Sequence, residues 1–401
     1  MREITSCEVC GNTHLHSVIN LGKHPLPDDL VKIGDDRQPE EYPVEVLFCD
    51  TCKTAHQRFQ IPREQLFPRT YHYRARQTQD VLDGMAQLVD SIAKKRPLAG
   101  LKVLDIGCND GSLLTEFQKL GADTYGIEPT GAAADARAAG HPVMRAFFDR
   151  QTAHQFVELF GYPDIITFTN VFAHIEDLQG LLDALRIMRK TTTWIVIENH
   201  YLGAVLDRHQ FDTFYHEHPR TYSFSSFSSI ASQLGMTITD VEFPARYGGN
   251  IRVTLQDSHI VSSVQRLLVP NECTFHDQLL ELDYGVKRWR DRKASMIGSL
   301  FLDSGPVACA AFPGRAAILL RLLGEPREVF DRVYEKPGSK KIGFYVPGTR
   351  IPIVSDDEFY WLSHSPVINL AWHIPAEINT NWRNKGFTGP LIPIVQEADF
   401  N

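Results

Sequence analysis

The sequence predicts an α/β protein with a doubly wound parallel sheet, a cysteine-rich module before it and a second, smaller α/β unit after it. Short apolar strands alternate with amphipathic helices in the middle of the chain, and the alternation resumes near the C-terminus. Strands separated by helices of this length are typical of parallel sheets. The 401 residues are also too many for one hydrophobic core. We expect three domains, at residues 1–75, 76–285 and 286–401.

The individual elements follow from the spacing of apolar residues. A stripe such as Leu113, Leu114 and Phe117 predicts a helix that packs on a sheet. In the middle region the predicted strands are Lys102–Ile106, Thr124–Glu128, Asp164–Phe168 and Trp194–Glu198. In the last region the predicted strands are Val307–Phe312, Pro366–Ala371 and Leu391–Val395, and the predicted helices are Arg315–Leu323 and Ala376–Arg383.

Charge and composition exclude several classes of protein. The formal net charge is −8, and no long cluster of lysine and arginine is present, which argues against nucleic acid as a partner. No apolar run reaches the 18 residues that a membrane-spanning helix needs, so we expect no membrane partner. The first residues lack the apolar stretch of a signal peptide, and a cytoplasmic location is therefore expected.

Two Cys-x-x-Cys pairs mark the N-terminal module. Cys7 and Cys10 form the first pair, and Cys49 and Cys52 form the second. Each pair can turn tightly enough to direct both thiolates at one ion, and four thiolates complete a tetrahedral zinc shell. Such a shell has no open position for water, so the sequence predicts a structural Zn²⁺ site. Four buried cysteines without a metal are the alternative.

A turn bounded by glycines follows the first strand of the middle region, and it reads Asp105-Ile106-Gly107-Cys108-Asn109-Asp110-Gly111. Such glycines let the backbone approach a ligand closely and enter the next helix tightly. Glu128 ends the following strand, where a carboxylate can accept hydrogen bonds from both ribose hydroxyls. The spacing resembles motif I of the class I methyltransferases. This resemblance implies S-adenosylmethionine as cofactor, and the implied ligands are Asp105, Gly107, Asn109, Gly111 and Glu128.

Further candidates follow the later strands. Phe148 comes after the third strand position and by the same resemblance borders the adenine, with ordinary packing as the alternative. Asn170 and His174 follow the strand Asp164–Phe168, at the carboxyl edge where open α/β sheets bind ligands. We therefore expect these residues to face the transferred methyl group.

The segment Phe211–Pro219 concentrates aromatic, acidic and imidazole groups after the strand Trp194–Glu198. A histidine beside a carboxylate is a suitable base near neutral pH, which makes Glu217 and His218 candidates. His216 lies two residues from His218, so a metal site is an alternative, although no third ligand is evident. The run Tyr71-His72-Tyr73 lies at the first domain junction, where it either packs between domains or overhangs the site.

The order of these features along the chain, from the four-cysteine module to the C-terminal α/β region, resembles that of the bacterial sugar C-methyltransferases. Members of this family act at carbon 3 of 4-keto-deoxysugar nucleotides. The resemblance covers essentially the whole chain, and it implies a class I methyltransferase Rossmann-like core between a zinc-binding module and a smaller C-terminal Rossmann-like domain. Other matching segments are Leu21–Leu26, Ile127–Pro129, Gly248–Arg252, Pro347–Ile353, Ala371–His373 and Glu377–Ile378. The turn Ala311–Ala316 and the stretch Tyr334–Lys336 depart from the family pattern.

The resemblance also implies roles for individual residues. His218 matches the family's base, Glu217 its acidic neighbour and Tyr215 an active-site tyrosine. His174 matches a histidine after the fourth strand. The tyrosine near the zinc module matches Tyr73 best, with Tyr71 as the second choice.

The implied reaction moves a methyl group from S-adenosylmethionine to carbon 3 of a nucleotide-linked 4-keto-deoxysugar. His218 would remove the hydrogen beside the ketone, and tyrosine hydroxyls would stabilise the enolate. The C-terminal domain would hold the nucleotide. Two other functions are open. One is an O- or N-methyltransferase acting on a sugar or small metabolite, and the other is a non-catalytic binding protein with a zinc module.

Overall fold

The computed structural model describes residues 1–68, 71, 73–259, 271–324, 328–358 and 364–400. The chain forms two compact units, which are described separately. Unit 1 comprises Met1–His16, Leu47–Ala204 and Glu217–Phe275, and unit 2 comprises Ser17–Val46, Val205–His216 and His276–Asn401.

The strands are numbered in chain order. They are β1 (Arg2–Glu3), β2 (His16–Pro25), β3 (Val31–Lys32), β4 (Glu41–Cys49), β5 (Thr54–Gln57), β6 (Phe59–Gln60), β7 (Lys102–Ile106), β8 (Asp123–Ile127), β9 (Val143–Met144), β10 (Ile165–Thr169), β11 (Trp194–His200), β12 (Arg220–Thr221), β13 (Met236–Glu242), β14 (Asn250–Asp257), β15 (Val307–Ala310), β16 (Phe330–Glu335), β17 (Phe344–Tyr345), β18 (Ile353–Ser355), β19 (Val367–Asn369) and β20 (Leu391–Pro393).

The α-helices are numbered in the same way. They are α1 (Arg63–Leu66), α2 (Gln79–Ala93), α3 (Ser112–Lys119), α4 (Ala133–Ala138), α5 (Arg150–Phe160), α6 (Leu178–Met188), α7 (Leu202–Asp207), α8 (Phe224–Gln233), α9 (Phe275–Ser304), α10 (Ala316–Leu323) and α11 (Pro375–Asn384).

Unit 1 is built on a seven-stranded sheet in the order β13-β14-β11-β10-β7-β8-β9. Strands β7 to β11 run parallel, whereas β14 is antiparallel to β11. Helices α2 and α3 bury apolar residues such as Leu88 and Phe117 against the central strands, in one core with Val103 and Ile165. The prediction of a doubly wound α/β core is confirmed, and β7 has the predicted bounds. All the parallel strands end at one edge, which is where the candidate ligand-binding residues follow.

The cysteine-rich part of unit 1 is formed by short antiparallel pairs. Strand β1 pairs with β6, and β5 pairs with β12. Strand β5 is completely buried, although it carries the polar residues Thr54, His56 and Gln57. The two Cys-x-x-Cys pairs are called the first knuckle (Cys7 and Cys10) and the second knuckle (Cys49 and Cys52). Cys49 ends β4, and Cys52 lies just before β5.

Unit 2 contains a five-stranded parallel sheet in the order β18-β16-β15-β19-β20. Helix α11 packs Ile378 and Trp382 on this sheet, in a core with Ala310 and Tyr334. A smaller α/β fold was predicted for this region, and it is confirmed. Strands β2 and β4 are neighbours in another sheet, and β3 pairs with β17.

Helix α9 spans 30 residues and was not predicted. The predicted domain boundary at residues 285 and 286 falls inside it. Its buried positions recur every three or four residues, which is the pattern of an amphipathic helix. They include Leu279, Leu282, Val286, Trp289, Lys293 and Ile297. Among the described residues, none of the helices is both long and apolar enough to cross a membrane.

Candidate active site and metal centre

The four predicted zinc ligands meet at one point in unit 1. All four Sγ atoms lie within 4.8 Å of one another. The Sγ atoms of Cys7 and Cys52 are 3.4 Å apart, and those of Cys10 and Cys49 are 3.6 Å apart. Tetrahedral zinc with bonds of about 2.3 Å would separate its sulfur ligands by about 3.8 Å, so the geometry fits the ion closely.

The electrostatics of the cluster also fit a cation. The hydrogen bond with Cys49 raises the pKa of Cys7 to about 12, and contact with Cys49 raises the pKa of Cys52 as well. Proximity to Cys49 therefore opposes ionisation of both Cys7 and Cys52. A divalent cation removes that repulsion, because it binds thiolates rather than thiols.

The glycine-bounded turn after β7 has the backbone that its sequence predicts. Gly107 has φ +70°, and a Cβ atom there would lie 2.6 Å from both methyl carbons of Val171. Asn109 is also left-handed, at φ +47°. The amide of Gly107 donates to the carbonyl of Ile127 at 2.7 Å, which ties the turn to the end of β8. The backbone therefore enters α3 through a turn that no larger residue at position 107 could form unchanged.

Glu128 lies beside this turn, as predicted. Its Oε2 accepts from the backbone amide of Asn109 at 3.0 Å, and its Oε1 accepts from the amide of Thr130 at 2.8 Å. An ionised carboxylate has further lone pairs after two such bonds, so it can still accept from ribose hydroxyls. The donor set and the glycine turn fit S-adenosylmethionine.

Asp105 lies beneath the turn and is 3% exposed. Its Oδ1 accepts from the hydroxyl of Thr167 at 2.7 Å. Burial raises the pKa of Asp105 to about 7, and the charge of Glu128 adds to this effect. The buried carboxyl thus links β7 to β10 through its hydrogen bond with Thr167.

Phe148 is buried and packs against Phe168, with their ring centroids 6.2 Å apart. The next residue, Asp149, caps α5 by accepting from the amide of Thr152 at 2.9 Å. Both residues therefore have structural roles at the start of α5. Contact of Phe148 with the adenine remains a prediction.

Asn170 directly follows β10 and has a left-handed conformation with φ +54°. Its amide donates to the carbonyl of Glu198 at 2.7 Å, and its Oδ1 accepts from the side chain of Asn250 at 3.3 Å. The neighbouring hydroxyl of Thr169 is buried and has no hydrogen-bond partner among the described residues. A buried hydroxyl at this edge is one that a bound ligand can satisfy.

Glu198 forms a fully buried ion cluster that the sequence analysis missed. Its Oε1 accepts from Arg246 at 2.5 Å and from Asn250 at 2.9 Å, and its Oε2 accepts from Arg252 at 2.7 Å. Two of these partners belong to the matching segment Gly248–Arg252. The sequence signal that could have revealed this cluster is a charged residue in the apolar strand β11, together with two arginines just before and within β14.

Two predicted histidines meet in unit 1, and a third joins them. The ring centroids of His174 and His218 are 4.8 Å apart, and those of His200 and His218 are 5.4 Å apart. Burial lowers the pKa of His174 to about 4, only partly offset by hydrogen bonds with the backbone of Glu217 and Asn170. His174 is therefore neutral at pH 7. His200 was not predicted, because it ends the largely apolar strand β11 without any flanking motif.

Glu217 is bound by a tyrosine of the junction segment. The hydroxyl of Tyr71 donates to its Oε2 at 3.0 Å. Tyr73 is 40% exposed, and its backbone carbonyl accepts from Arg74 at 2.8 Å and from Asn109 at 3.3 Å. The geometry thus favours Tyr71, the second choice of the sequence analysis, as the partner of Glu217. His72 lies outside the described residues.

Tyr215 and His216 belong to unit 2. His216 donates from Nε2 to the carbonyl of Tyr42 at 3.1 Å, and burial lowers its pKa to about 4. Because that nitrogen donates a hydrogen bond to the backbone, it is not available as a metal ligand in this arrangement. The alternative metal site with His218 is therefore not favoured. Tyr215 is half-buried, and its amide donates to the carbonyl of Thr213 at 3.1 Å.

The turn that departs from the family pattern holds a buried ion pair in unit 2. Nε and Nη2 of Arg315 donate to the two carboxylate oxygens of Asp212, at 2.8 and 2.6 Å. The indole of Trp372 donates to the same carboxylate at 2.9 Å. Arg315 is therefore held within the protein by its own carboxylate partner.

Family models match nearly the whole chain in three parts. Residues 7–67 match a zinc binding domain, residues 72–241 a methyltransferase domain, and residues 245–394 a C-methyltransferase C-terminal domain.

Individual proteins are similar over different lengths. C-methyltransferase NovU of Streptomyces niveus is 26% identical over 95% of this chain and 93% of its own. A ubiquinone biosynthesis O-methyltransferase of Rhizobium rhizogenes is 36% identical over 22% of this chain and 36% of its own. Magnesium protoporphyrin IX methyltransferase of Synechocystis, solved with bound SAH, has 16% identity and a TM-score of 0.36 over 45% of this chain and 84% of its own.

The sheet order, the glycine turn with Glu128 and the three matched domains define an S-adenosylmethionine-dependent methyltransferase that carries a structural zinc site. Within that class, the chain is similar to the C-methyltransferases, because its C-terminal part matches their specific domain and its likeness to NovU covers 95% of the chain. The resemblance inferred from the sequence is thus confirmed.

Proposed function

We propose that this enzyme methylates carbon 3 of a nucleotide-linked 4-keto-deoxysugar through an enolate. The observation that carries the proposal is the group formed by His174, His200 and His218, with the bonded pair Tyr71 and Glu217 alongside. Carbon methylation requires removal of a proton from carbon, and a buried imidazole beside hydrogen-bonding groups suits that step. Transfer to oxygen or nitrogen has no need of enolate stabilisation.

His218 is the proposed base. It is 6% exposed, and the neutral ring of His174 lies beside it. A neutral neighbour does not oppose protonation of His218 as a second positive charge would. His218 takes the proton from carbon 3, and the electrons of the carbon–hydrogen bond move into the enolate. Glu217 and Tyr71 bind the oxygen atoms of the sugar. Tyr215 is assigned as an active-site tyrosine on the family resemblance alone.

The glycine-bounded turn at residues 105–111, called the cofactor loop below, would align the methyl donor with the enolate carbon. S-adenosylmethionine, when bound, supplies a methyl group on a positively charged sulfur that leaves as a neutral thioether. Glu128 would hold the ribose, and the left-handed turn at Gly107 would present the backbone to the cofactor. Holding the two reactants in line accounts for a large part of the expected rate enhancement.

The test follows a nucleotide-linked 4-keto-6-deoxyhexose by proton NMR in deuterated water. The enzyme alone should exchange the hydrogen at carbon 3, and addition of S-adenosylmethionine should produce a methyl signal on that carbon. His218→Gln should lower both rates by about 10²–10⁴-fold, the usual contribution of a general base. His154→Asn, which alters an exposed histidine on α5, is the matched control and should retain both.

A methyl signal attached to oxygen or nitrogen would contradict the proposal. So would binding of S-adenosylmethionine without exchange on any of several nucleotide keto-sugars.

A further inference from the structure

We propose that Arg220 is a positioning residue that couples the zinc centre to the two histidines of the active site. This inference rests on the proposed role of His218 as the base. Arg220 follows His218 by two residues and is completely buried. The methyltransferase reaction itself gives no chemical task to a closed four-cysteine centre, so the contacts of that centre with unit 1 indicate what it does.

The first link runs from Arg220 to the first knuckle. Its Nη1 donates to Oε2 of Glu8, which lies between Cys7 and Cys10. The same carboxylate oxygen accepts from Gln60 at 2.7 Å. A buried guanidinium needs such a carboxylate partner, because an unpaired buried charge is costly. The position of Glu8, and hence of its charge, is set by the turn that the metal holds.

The second link runs from Arg220 to the residues that follow His174. Its guanidinium donates to the carbonyl of Ile175 and, at 3.2 Å, to that of Glu176. Its Nε donates to the hydroxyl of Tyr222 at 2.9 Å. One side chain therefore holds the backbone just after His174 and lies two residues after His218, and the two imidazoles are in contact.

The second knuckle binds the same part of unit 1. The carbonyl of Cys52 accepts from the hydroxyls of Ser223 and Ser226, at 3.3 and 3.2 Å. Thr54 lies 2.7 Å from the hydroxyl of Ser226, and β5 pairs with β12, the strand that contains Arg220. Both knuckles thus hold residues 220–226. Loss of the metal should release this segment and the imidazole pair together.

The variant Glu8→Gln tests the coupling, because it removes the charge opposite Arg220 and retains an acceptor. We expect normal zinc content and an unchanged Kd for S-adenosylmethionine. Exchange of the carbon 3 hydrogen should fall by about 10²-fold, as expected for slightly misplaced catalytic groups. Glu3→Gln is the matched control, because Glu3 pairs with Arg58 at the exposed surface of the same module.

Arg220→Lys separates positioning from simple charge balance. Lysine retains the buried positive charge, but it cannot span Glu8 and two carbonyls as a guanidinium fork does. We expect the exchange rate of the carbon 3 hydrogen to fall about as much in Arg220→Lys as in Glu8→Gln. Recovery of the wild-type rate by lysine would overturn the proposal.

Deuterium exchange of backbone amides provides a readout that does not depend on activity. In Glu8→Gln and in wild-type protein stripped of zinc, residues 172–176 and 217–222 should exchange at least tenfold faster, while residues 105–111 remain unchanged. Unchanged protection at 172–176, or an equal loss throughout unit 1, would overturn the proposal. Failure of the wild-type enzyme to exchange the carbon 3 hydrogen or to methylate the sugar would instead reject the proposed function. In that case the amide exchange data would still test the coupling between the zinc centre and the histidines.

Discussion

Tyr71 and Tyr73 are separated by one residue, yet their side chains have different surroundings. The hydroxyl of Tyr71 donates to Glu217, whereas Tyr73 is substantially exposed. The backbone between Tyr73 and Arg76 is held by the side chains of Asn109 and Asp110, both in the cofactor loop. The placement of Tyr71 is thereby linked to the loop that we propose binds the cofactor.

Replacement of these tyrosines distinguishes their roles. Tyr71→Phe removes a hydrogen bond to a charged group, worth about 1.5–3 kcal/mol, so we expect kcat for methylation to fall by about 10-fold to 100-fold. Tyr73→Phe should have the smaller effect. Parallel measurement of kcat and of the Kd for S-adenosylmethionine checks this, and a larger loss of kcat at Tyr73 would contradict the assignment.

The site residues divide into those that local sequence predicts and those that it does not. The proximity of Gly107 and Glu128 was predictable, because a turn and an acid at fixed positions after two neighbouring parallel strands meet at one edge of the sheet. His200 and Glu198 were not, since they lie in an apolar strand and their partners come from distant parts of the chain. The choice between Tyr71 and Tyr73 depends on backbone direction, which residue types do not encode.

At the level of elements, the turn between β7 and α3 combines a left-handed backbone with a close contact. Gly107→Ala places a methyl group 2.6 Å from Val171, so the turn must shift. We expect the Kd for S-adenosylmethionine to rise at least about tenfold, equivalent to about 1.4 kcal/mol. Calorimetric titration of the variant measures this directly.

Gly140→Ala is the matched control for that experiment. Gly140 has φ +97°, and a Cβ atom there meets nothing within 4 Å. The alanine should therefore cost only the left-handed strain of about 1–2 kcal/mol in stability, with cofactor affinity retained. Equal affinity losses in the two variants would show that backbone strain alone, and not the contact with Val171, governs binding.

Strands such as β10 and β15 could be predicted because they are short, largely buried apolar runs. Helix α9 was overlooked for the opposite reason. Its charged residues, from Asp283 to Lys293, dominate the local composition, while its buried face repeats only every third or fourth residue. The buried Lys293 interrupts that face and pairs with Asp399 at 3.1 Å, a partner that the sequence does not reveal.

For the whole molecule, buried histidines make stability depend on pH, and the effect is easiest to follow at two of them. His174 in unit 1 and His216 in unit 2 both have their pKa lowered to about 4 by burial. The unfolded chain takes up these protons near the ordinary pKa of about 6.5, whereas the folded chain does not. Their contribution to stability is therefore present above pH 6.5 and is lost as the pH falls towards 4.

We expect each histidine to lower the free energy of unfolding by up to about 1.4 kcal/mol per pH unit within that window. Urea unfolding at pH 7, 6 and 5 measures the slope. His216→Gln should be less stable at pH 7 but should show a shallower decline, whereas His154→Gln should leave the slope unchanged. A decline that is equally steep without His216 would contradict this account.

The buried cluster around Glu198 also restricts how the sequence can evolve. Loss of Glu198 leaves Arg246 and Arg252 without their shared carboxylate, and loss of either arginine removes one of its partners. Removal of one member of a buried pair costs about 3–5 kcal/mol, a large part of the 5–15 kcal/mol that stabilises a typical domain. A lineage that changes one of these positions must therefore change the others almost at once, so we expect the three positions to covary among relatives. The same constraint makes this end of the sheet a poor place to begin altering substrate choice by single substitutions.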